Sequence, residues 1–253
     1  MQVLSHYLYL LLLLVVIATG ADAKKSWADI AKEPKLETTE TTCTVDETIK
    51  TAPPVKKSPP KLHSVYSKLP PKSTGLLQVR NVYDGDTLTL KDGRRIRLRG
   101  IDTPEMEPRE PFAAEAKAYA RQYCHKRSIH LDISGEDHYG RLIADVWVET
   151  ADGNFLNVNE GLVAAGLATV YLAQKNDKPP NFKKLVALQN QARLLQLGLW
   201  KDFKDRNVVI TRNGAAFHEP TCKHLANVRS TKILTQSQAL DQGLHPCRTC
   251  MNR

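Results

Sequence analysis

The chain changes character at Gly75. From Leu76 to Val82, Thr87 to Leu90 and Arg94 to Arg99, apolar and polar residues alternate, the period of strands with one buried face. Lys91-Asp92-Gly93 separates the second run from the third and reads as a hairpin turn. Phe112 to Cys124 switches to helical spacing, with Phe112, Ala116, Tyr119, Ala120 and Tyr123 recurring on one face. Ser128 to Ile133 and Leu142 to Glu149 predict two further strands. Asn157 to Ala165 predicts a short helix closed by Gly166. Phe182 to Leu197 predicts a longer one, with Leu185, Val186, Leu188, Ala192 and Leu195 as its stripe and Gly198 as its stop. Five strands with a helix inserted after the third predict an α+β, mostly β domain over residues 75–203, built as a small closed Greek-key barrel with three helices. Residues 208–253 read as a separate unit bearing Cys and His.

The segment before Gly75 lacks such periodicity. Residues 24–73 are rich in Thr, Lys and Pro, including Glu37-Thr38-Thr39-Glu40-Thr41-Thr42 and the pairs Pro53-Pro54, Pro59-Pro60 and Pro70-Pro71. Such a stretch cannot bury enough apolar surface to offset its ordering entropy, so a disordered linker is expected. A proline-rich ligand for a partner domain is the alternative. Within residues 1–23, an apolar run from Leu8 to Ala18 precedes Ala21-Asp22-Ala23, the small-x-small form of a secretory cleavage site. The run is short against the roughly 20 residues that span a bilayer. A cleaved signal peptide and a secreted, extracellular protein are therefore expected. The alternative is an uncleaved membrane anchor over residues 4–21. Met1 to Tyr7 holds no Lys or Arg, whereas Lys24 and Lys25 follow the run directly, which would hold the body of the chain in the cytoplasm.

Charge and side-chain chemistry narrow the picture. The 253 residues include 36 basic and 27 acidic ones, a formal charge of +9, which suits a polyanionic partner. Three segments then concentrate unusual chemistry: Tyr83-Asp84-Gly85-Asp86-Thr87, the run from Arg97 to Glu105, and Asp137-His138-Tyr139-Gly140-Arg141. Each alone has an ordinary explanation as a turn or a helix start. Together they meet the needs of phosphodiester hydrolysis. That reaction uses a hard cation on oxygen ligands, a base for water, and arginines to take charge on the phosphate. Asp86 and Asp102 can supply the ligands, Glu105 the base, and Arg97 and Arg141 the clamp. Arg97 and Arg99 share one face of their strand, so only one of them is needed for catalysis.

In these motifs, in their order and spacing, the stretch from about Leu76 to Trp200 resembles the staphylococcal nuclease (thermonuclease) family. The resemblance implies an OB-fold barrel with three helices, one bound calcium, and cleavage of DNA and RNA to 3′-phosphate products; a monomer is expected. It implies that Asp86 and Asp102 are calcium carboxylates and Thr103 a carbonyl ligand. It also implies that Glu105 is the general base and that Arg97 and Arg141 bind phosphate. Two departures bear on substrate. The family pattern has Lys-Tyr before Gly-Arg for terminal phosphate contacts, and here His138 stands before Tyr139. His138 can equally be a plain surface residue. Where the archetype has a tyrosine-rich segment for base stacking, this chain has Thr169-Val170-Tyr171-Leu172-Ala173-Gln174, so Tyr171 is the remaining candidate.

The C-terminal unit carries His218-x-x-x-Cys222 and Cys247-x-x-Cys250. Two chelating pairs of soft ligands match a closed tetrahedral zinc site. Some forty residues hold too little core to stand without a staple. The unit resembles small zinc-binding modules that follow nuclease domains, which favours His218 over its rivals His224 and His245. In an exported protein the alternative is disulfides among these cysteines, Cys43 and Cys124, although a Cys-x-x-Cys pair bridges itself poorly and Cys124 reads as a buried free thiol. The expected function is thus a calcium-dependent nuclease, with membrane contact only if the leader stays. The competing class is a non-catalytic OB-fold that binds nucleic acid or protein. A scaffold of that kind has no reason to hold two calcium carboxylates, a base and two arginines.

Overall fold

Residues 65–68 and 75–251 are described by a computed structural model of the chain, and all of them fall within one compact unit. The expected signal segment and Cys43 lie outside these residues, as does most of the expected linker. Mixed α+β structure, mostly strand, is present. The alternating runs become β2 (Leu76–Val82), β3 (Thr87–Leu90) and β4 (Arg95–Leu98). Leu88, Leu90, Ile96 and Leu98 of β3 and β4 are almost wholly buried. Burying each such side chain contributes about 1.5–3 kcal/mol. The expected turn at Lys91-Asp92-Gly93 is closed by the Gly93 N–H on the Leu90 carbonyl at 3.1 Å, with Gly93 at φ 94°.

After the short β5 (Ile101–Asp102) comes α1 (Ala113–Cys124), then β6 (Ser128–Glu136), β7 (Arg141–Glu149) and β8 (Phe155–Asn157). α1 starts one residue later than its apolar spacing indicates, because Phe112 takes the left-handed conformation at φ 65°. Its buried stripe is Ala113, Ala116, Ala120 and Cys124, small residues that let the helix lie close to the sheet. Burial pushes the Cys124 thiol up to about 12, which leaves it inert. β8 leads into α2 (Val158–Ala164), capped by the Asn157 side chain on the Glu160 N–H at 2.9 Å. β9 (Thr169–Val170) and α3 (Phe182–Leu194) follow. α3 stops three residues short of Leu197, and Gln196 turns the chain at φ 53°.

With β1 at Tyr66–Ser67, the order in the main sheet is β1-β8-β7-β4-β3-β2-β6, and β7 pairs with β6 as well as with β4. β1 lies in the stretch read from composition as linker. It pairs with Leu156 and Phe155 of β8, and Val65 is buried against the main core. A single valine beside a two-residue strand leaves no periodic trace in a Pro/Lys-rich sequence. The pairing that positions the arginines is parallel: β4 runs beside β7 with Arg95 opposite Arg141 and Arg97 opposite Ile143. Residues in register share a face, so Arg141 stands on the same side as Arg95 and Arg97. Buried Asn159 of α2 fixes this region. It accepts the Val146 N–H at 3.0 Å and donates to the carbonyls of Arg99 and Ala144 at 3.0 and 3.2 Å.

The C-terminal segment forms a second sheet from β10 (Asn207–Thr211), β11 (Ala216–His218), β12 (Thr231–Thr235) and β13 (His245–Pro246), in the order β12-β10-β11-β13. α4 (Gln236–Leu240) opens with a capping box from Thr235 and Gln238. A second apolar cluster joins Val208, Ile210, Phe217, Leu240, Leu244 and Met251 to Ala192 of α3 and to Trp200. Polar contacts reinforce it. The Leu172 N–H donates to the Gly243 carbonyl at 2.9 Å. Gln189 of α3 accepts the Val170 N–H at 2.8 Å and donates to Asp241 at 3.0 Å, and Arg193 pairs with Asp241 at 2.9 Å. A side chain at Gly243 would bring a Cβ within 2.6 Å of Leu172, so glycine is needed for this approach. Among the described residues, no helix is long and apolar enough to cross a membrane.

Candidate active site and metal-binding cluster

The tight turn between β2 and β3 presents Asp86. Asp84 accepts the N–H groups of Asp86 and Thr87 at 3.1 and 2.7 Å, so its carboxylate is the staple of the turn. Gly85 lies against α1 and the chain after β5. A Cβ there would fall 2.8 Å from both Ala116 Cβ and Thr103 Cγ2. The glycine of Asp-Gly-Asp is therefore required by space. The same close approach lets Thr103 donate its N–H and hydroxyl to Asp86 Oδ2, at 2.8 and 3.1 Å.

Arg97 reaches from β4 into this corner. Nη1 pairs with Asp86 Oδ2 at 3.1 Å and Nη2 with Asp102 Oδ1 at 2.9 Å. Nη1 also donates to the carbonyls of Leu98 and Ile101 at 3.0 and 2.8 Å. Two carboxylates from different loops thus converge on one guanidinium. Burial pushes the Asp86 carboxyl up to about 6; Arg97 works against this, while Asp84 and Asp102 add to it. Burial opposes the Arg97 charge as well, but Asp86 and Asp102 outweigh it and raise its pKa further. Three carboxylates around one arginine leave this corner short of positive charge. Hard oxygen donors with a negative excess are the donor set that suits a calcium-sized cation.

The remaining expected residues line the same cleft, whose volume is about 800 Å³. Glu105 is exposed within it. Its N–H donates to Glu110 Oε2 at 2.8 Å, and its carbonyl accepts the Glu110 N–H at 2.9 Å. Arg141 is held by Asp137, which accepts from its Nε at 2.7 Å and from its backbone N–H at 3.0 Å. Burial would raise the Asp137 carboxyl, but these bonds and the Tyr139 N–H outweigh it and hold it below the usual range. His138 and Tyr139 stack with ring centroids 3.7 Å apart, and the Arg141 guanidinium lies 5.4 Å over the Tyr139 ring. Tyr171 lies 5.8 Å from the Arg97 guanidinium carbon. Arg99, the strand neighbour of Arg97, is committed elsewhere: Nε donates to Asp145 at 2.9 Å and Nη2 to the same carboxylate. Asp84 and Asp137 lie in segments that the sequence marks for their chemistry, but neither their positioning role nor Glu110 is legible there. The Asp-Gly turn at Asp84 and the spacing of Asp137 four residues before Arg141 are the local signals that point to the first two.

The C-terminal cysteines gather into a second cluster. The ligand atoms of His218, Cys222, Cys247 and Cys250 all lie within 4.8 Å of one another. Cys222, Cys247 and Cys250, with Cys124, are free thiols. Burial works to raise the Cys247 thiol, but the N–H groups of Thr249 and Cys250 and the neighbouring thiols hold it below its ordinary value. Burial and the thiols of Cys222 and Cys247 push Cys250 up to about 11. One thiolate is favoured and it suppresses the next, a crowding that a bound cation relieves. Burial, His224 and His245 lower the His218 pKa, which favours the neutral ring that binds metals. Of the rival histidines, His224 bonds to Thr249 Oγ1 at 2.9 Å, and His245 lies against Tyr171 with centroids 5.4 Å apart. The cluster is a possible His/Cys metal site, separate in ligand chemistry from the carboxylate corner.

An α+β protein, mostly strand, with acidic and arginine side chains converging in one cleft, is the class that this geometry defines. Comparison with known proteins gives that class a family. The family described as staphylococcal nuclease homologue matches residues 95–202. An uncharacterized endonuclease of Escherichia coli O157:H7 is 35% identical over 128 residues, covering 49% of this chain and 76% of that protein. The thermonuclease of Staphylococcus intermedius is 32% identical over 135 residues, covering 49% of this chain and 74% of the enzyme. The chain belongs to the staphylococcal nuclease homologue family. A probable endonuclease, lcl3, of Sclerotinia sclerotiorum is 34% identical over 133 residues. The chain spans about half the length of this fungal relative and of its Botryotinia fuckeliana counterpart.

Proposed function

We propose that this chain is a calcium-dependent nuclease that hydrolyses phosphodiester bonds of DNA and RNA and leaves 3′-phosphate ends. The observation that carries the reading is the convergence of Asp86 and Asp102 on Arg97, in the cleft that also holds Glu105 and Arg141. Asp86, Asp102 and the Thr103 carbonyl would hold calcium, which when bound supplies positive charge to a phosphate oxygen. Glu105 accepts a proton from water as the water oxygen bonds to phosphorus and the bond to the 5′ oxygen breaks. A proton from solvent completes the 5′-hydroxyl. Arg141 is anchored through Nε, which leaves its Nη groups to donate to the phosphate. Arg97 takes phosphate from the other side while it orients both carboxylates. His138, Tyr139 and Tyr171 bind substrate, with aromatic stacking worth about 1–3 kcal/mol per base.

The rest of the chain fits the same protein. The double pairing of β7 with β4 and β6 supports an OB-type barrel closed by β2, β3, β4, β6 and β7. The four-ligand cluster supports a zinc-binding C-terminal module. We read residues 1–23 as a secretory leader ahead of a linker, and the mature protein as an extracellular monomer. The test is a cleavage assay on single-stranded DNA and on RNA. Calcium is expected to be required and EGTA to stop the reaction. Glu105→Gln is expected to slow cleavage by about 10²–10⁴-fold with an unchanged melting temperature. Cleavage by Glu105→Gln as fast as by the parent would overturn the mechanism, and binding by the parent without cleavage would support the scaffold alternative.

A further inference from the structure

The wall of the carboxylate cleft is not made by the family-matched region alone. His245, Pro246 and Arg248 of the C-terminal segment line it together with Arg97, Glu105, Arg141 and Tyr171. The rings of Tyr171 and His245 are 5.4 Å apart and inclined by 32°. The Arg97 guanidinium lies 5.8 Å from the other end of this contact, over Tyr171. A run of planar groups therefore leads from the carboxylate corner to the C-terminal unit.

Arg248, like Arg95, differs from the other three arginines that line the cleft. Arg97 is shared between Asp86 and Asp102, Arg99 is bound to Asp145, and Arg141 to Asp137. Arg248 is exposed, and no carboxylate pairs with it among the described residues. It sits between Cys247 and Cys250, two of the four residues whose ligand atoms gather within 4.8 Å. The Cys247 N–H donates to the Phe217 carbonyl at 2.9 Å, which ties this knuckle to β11 and the buried Phe217. A cation closing on the four ligands fixes the backbone on both sides of Arg248.

We propose that the C-terminal unit is part of the substrate-binding surface. Arg248 binds a backbone phosphate of the nucleic acid away from the scissile position, and zinc held by His218, Cys222, Cys247 and Cys250 keeps Arg248 at the cleft. The proposal rests on the nuclease reading for its substrate class, and its test reads binding rather than cleavage. The full chain carrying Glu105→Gln is titrated with a short fluorescein-labelled single-stranded oligodeoxynucleotide, followed by anisotropy over a range of salt. Arg248→Ala is expected to weaken binding by about three- to tenfold and to lower the salt slope by about 0.7, the value for one phosphate contact on a single strand. Arg248→Lys should recover most of the affinity. Stripping zinc, with release measured colorimetrically, should weaken the protein that keeps Arg248 by the same factor and leave Arg248→Ala unchanged. An Arg248→Ala protein with unaltered affinity and salt slope overturns the phosphate contact. Equal weakening of both proteins on stripping overturns the coupling to zinc. If the oligonucleotide is bound as expected while the parent never cleaves, the nuclease reading fails and this surface stands.

Discussion

The carboxylate corner and the Cys/His cluster are both candidate metal sites, but they are held in opposite ways. Asp86 is fixed by Thr103 and Arg97, Asp102 by Arg97, and the turn that presents Asp86 by Asp84. The carboxylates of this candidate site are in position through protein contacts. The four soft ligands touch mainly each other and backbone N–H groups: His218 contacts Cys222 at 3.4 Å, the Glu219 N–H reaches Cys250 at 3.4 Å, and the N–H groups of Thr249 and Cys250 reach Cys247. The first site resembles a socket, built before its ion arrives. The second is a cluster of soft donors that a bound ion would lock together. The difference follows from donor chemistry: carboxylates find arginines and N–H groups to neutralise them, whereas crowded thiols find few good partners in a protein.

The contrast can be broken most directly at the soft-donor cluster. Cys250→Ser should abolish stoichiometric zinc and loosen the C-terminal sheet, seen as early loss of amide protection over residues 207–251. The Trp200 environment should change with it, since Trp200 packs in that cluster. The stability lost is several kcal/mol, because metal binding in a small module is folding free energy. Removing calcium should leave the fold's melting temperature far less affected. Equal sensitivity to loss of either metal would erase the distinction.

A smaller effect is expected at the socket's own wall. Gly85→Ala forces a methyl into the space between Ala116 and Thr103, at a cost of about 1–3 kcal/mol. It should also move Asp86 and slow cleavage, whereas Gly135→Ala, with open space around its Cβ position, should leave cleavage unchanged. Smaller still is the effect of Asp86→Asn. Asp86 titrates near 6 in the folded chain against 3.8 ordinarily, so its ionisation opposes folding above that range. Without divalent cation at pH 7 the substitution should add about 1 kcal/mol of stability, less than the full shift implies because Arg97 loses a partner. The gain should vanish as pH falls through 6 toward 3.8, where the parent takes up the proton in both states. Melting curves at the two ends of that range check the sign. Calcium-dependent cleavage by this variant should be lost at every pH.

Much of this was legible in the chain. Alternation located β2, β3 and β4, although only β4 keeps Ile96 and Leu98 buried against an exposed Arg95 and half-buried Arg97. In β3 Thr87 is buried as well, and β2 carries a register shift between Val79 and Asn81. The site residues lay in three short segments whose turn chemistry was visible, so Asp86, Arg97, Asp102, Glu105 and Arg141 could be picked out together. Other features left no periodic trace. β8 and β1 are too short to show a period, and Val208-Val209-Ile210 is a continuous apolar run that fits a buried strand or part of a helix equally well. The start of α1 depends on the backbone of Phe112. Gln189 links Val170 to Asp241 across segments far apart in sequence, and nothing near Gln189 announces that task. The sequence offers His245 as a rival zinc ligand; its place beside Tyr171 follows from the docking of the C-terminal sheet on α3.

The shared cluster around Trp200 has a consequence for how this protein could have been assembled in evolution. A part that is merely strung after another can be gained, lost or exchanged by a single recombination event. Here Ala192 and Trp200 on one side, and Phe217, Leu240 and Leu244 on the other, hide each other from water. Loss of the tail would leave an oily scar on the remaining body and invite self-association. A lineage that added or discarded the tail would have had to repaint that face with polar residues at the same time. The end of the family match at residue 202 is therefore not a seam in the folded molecule.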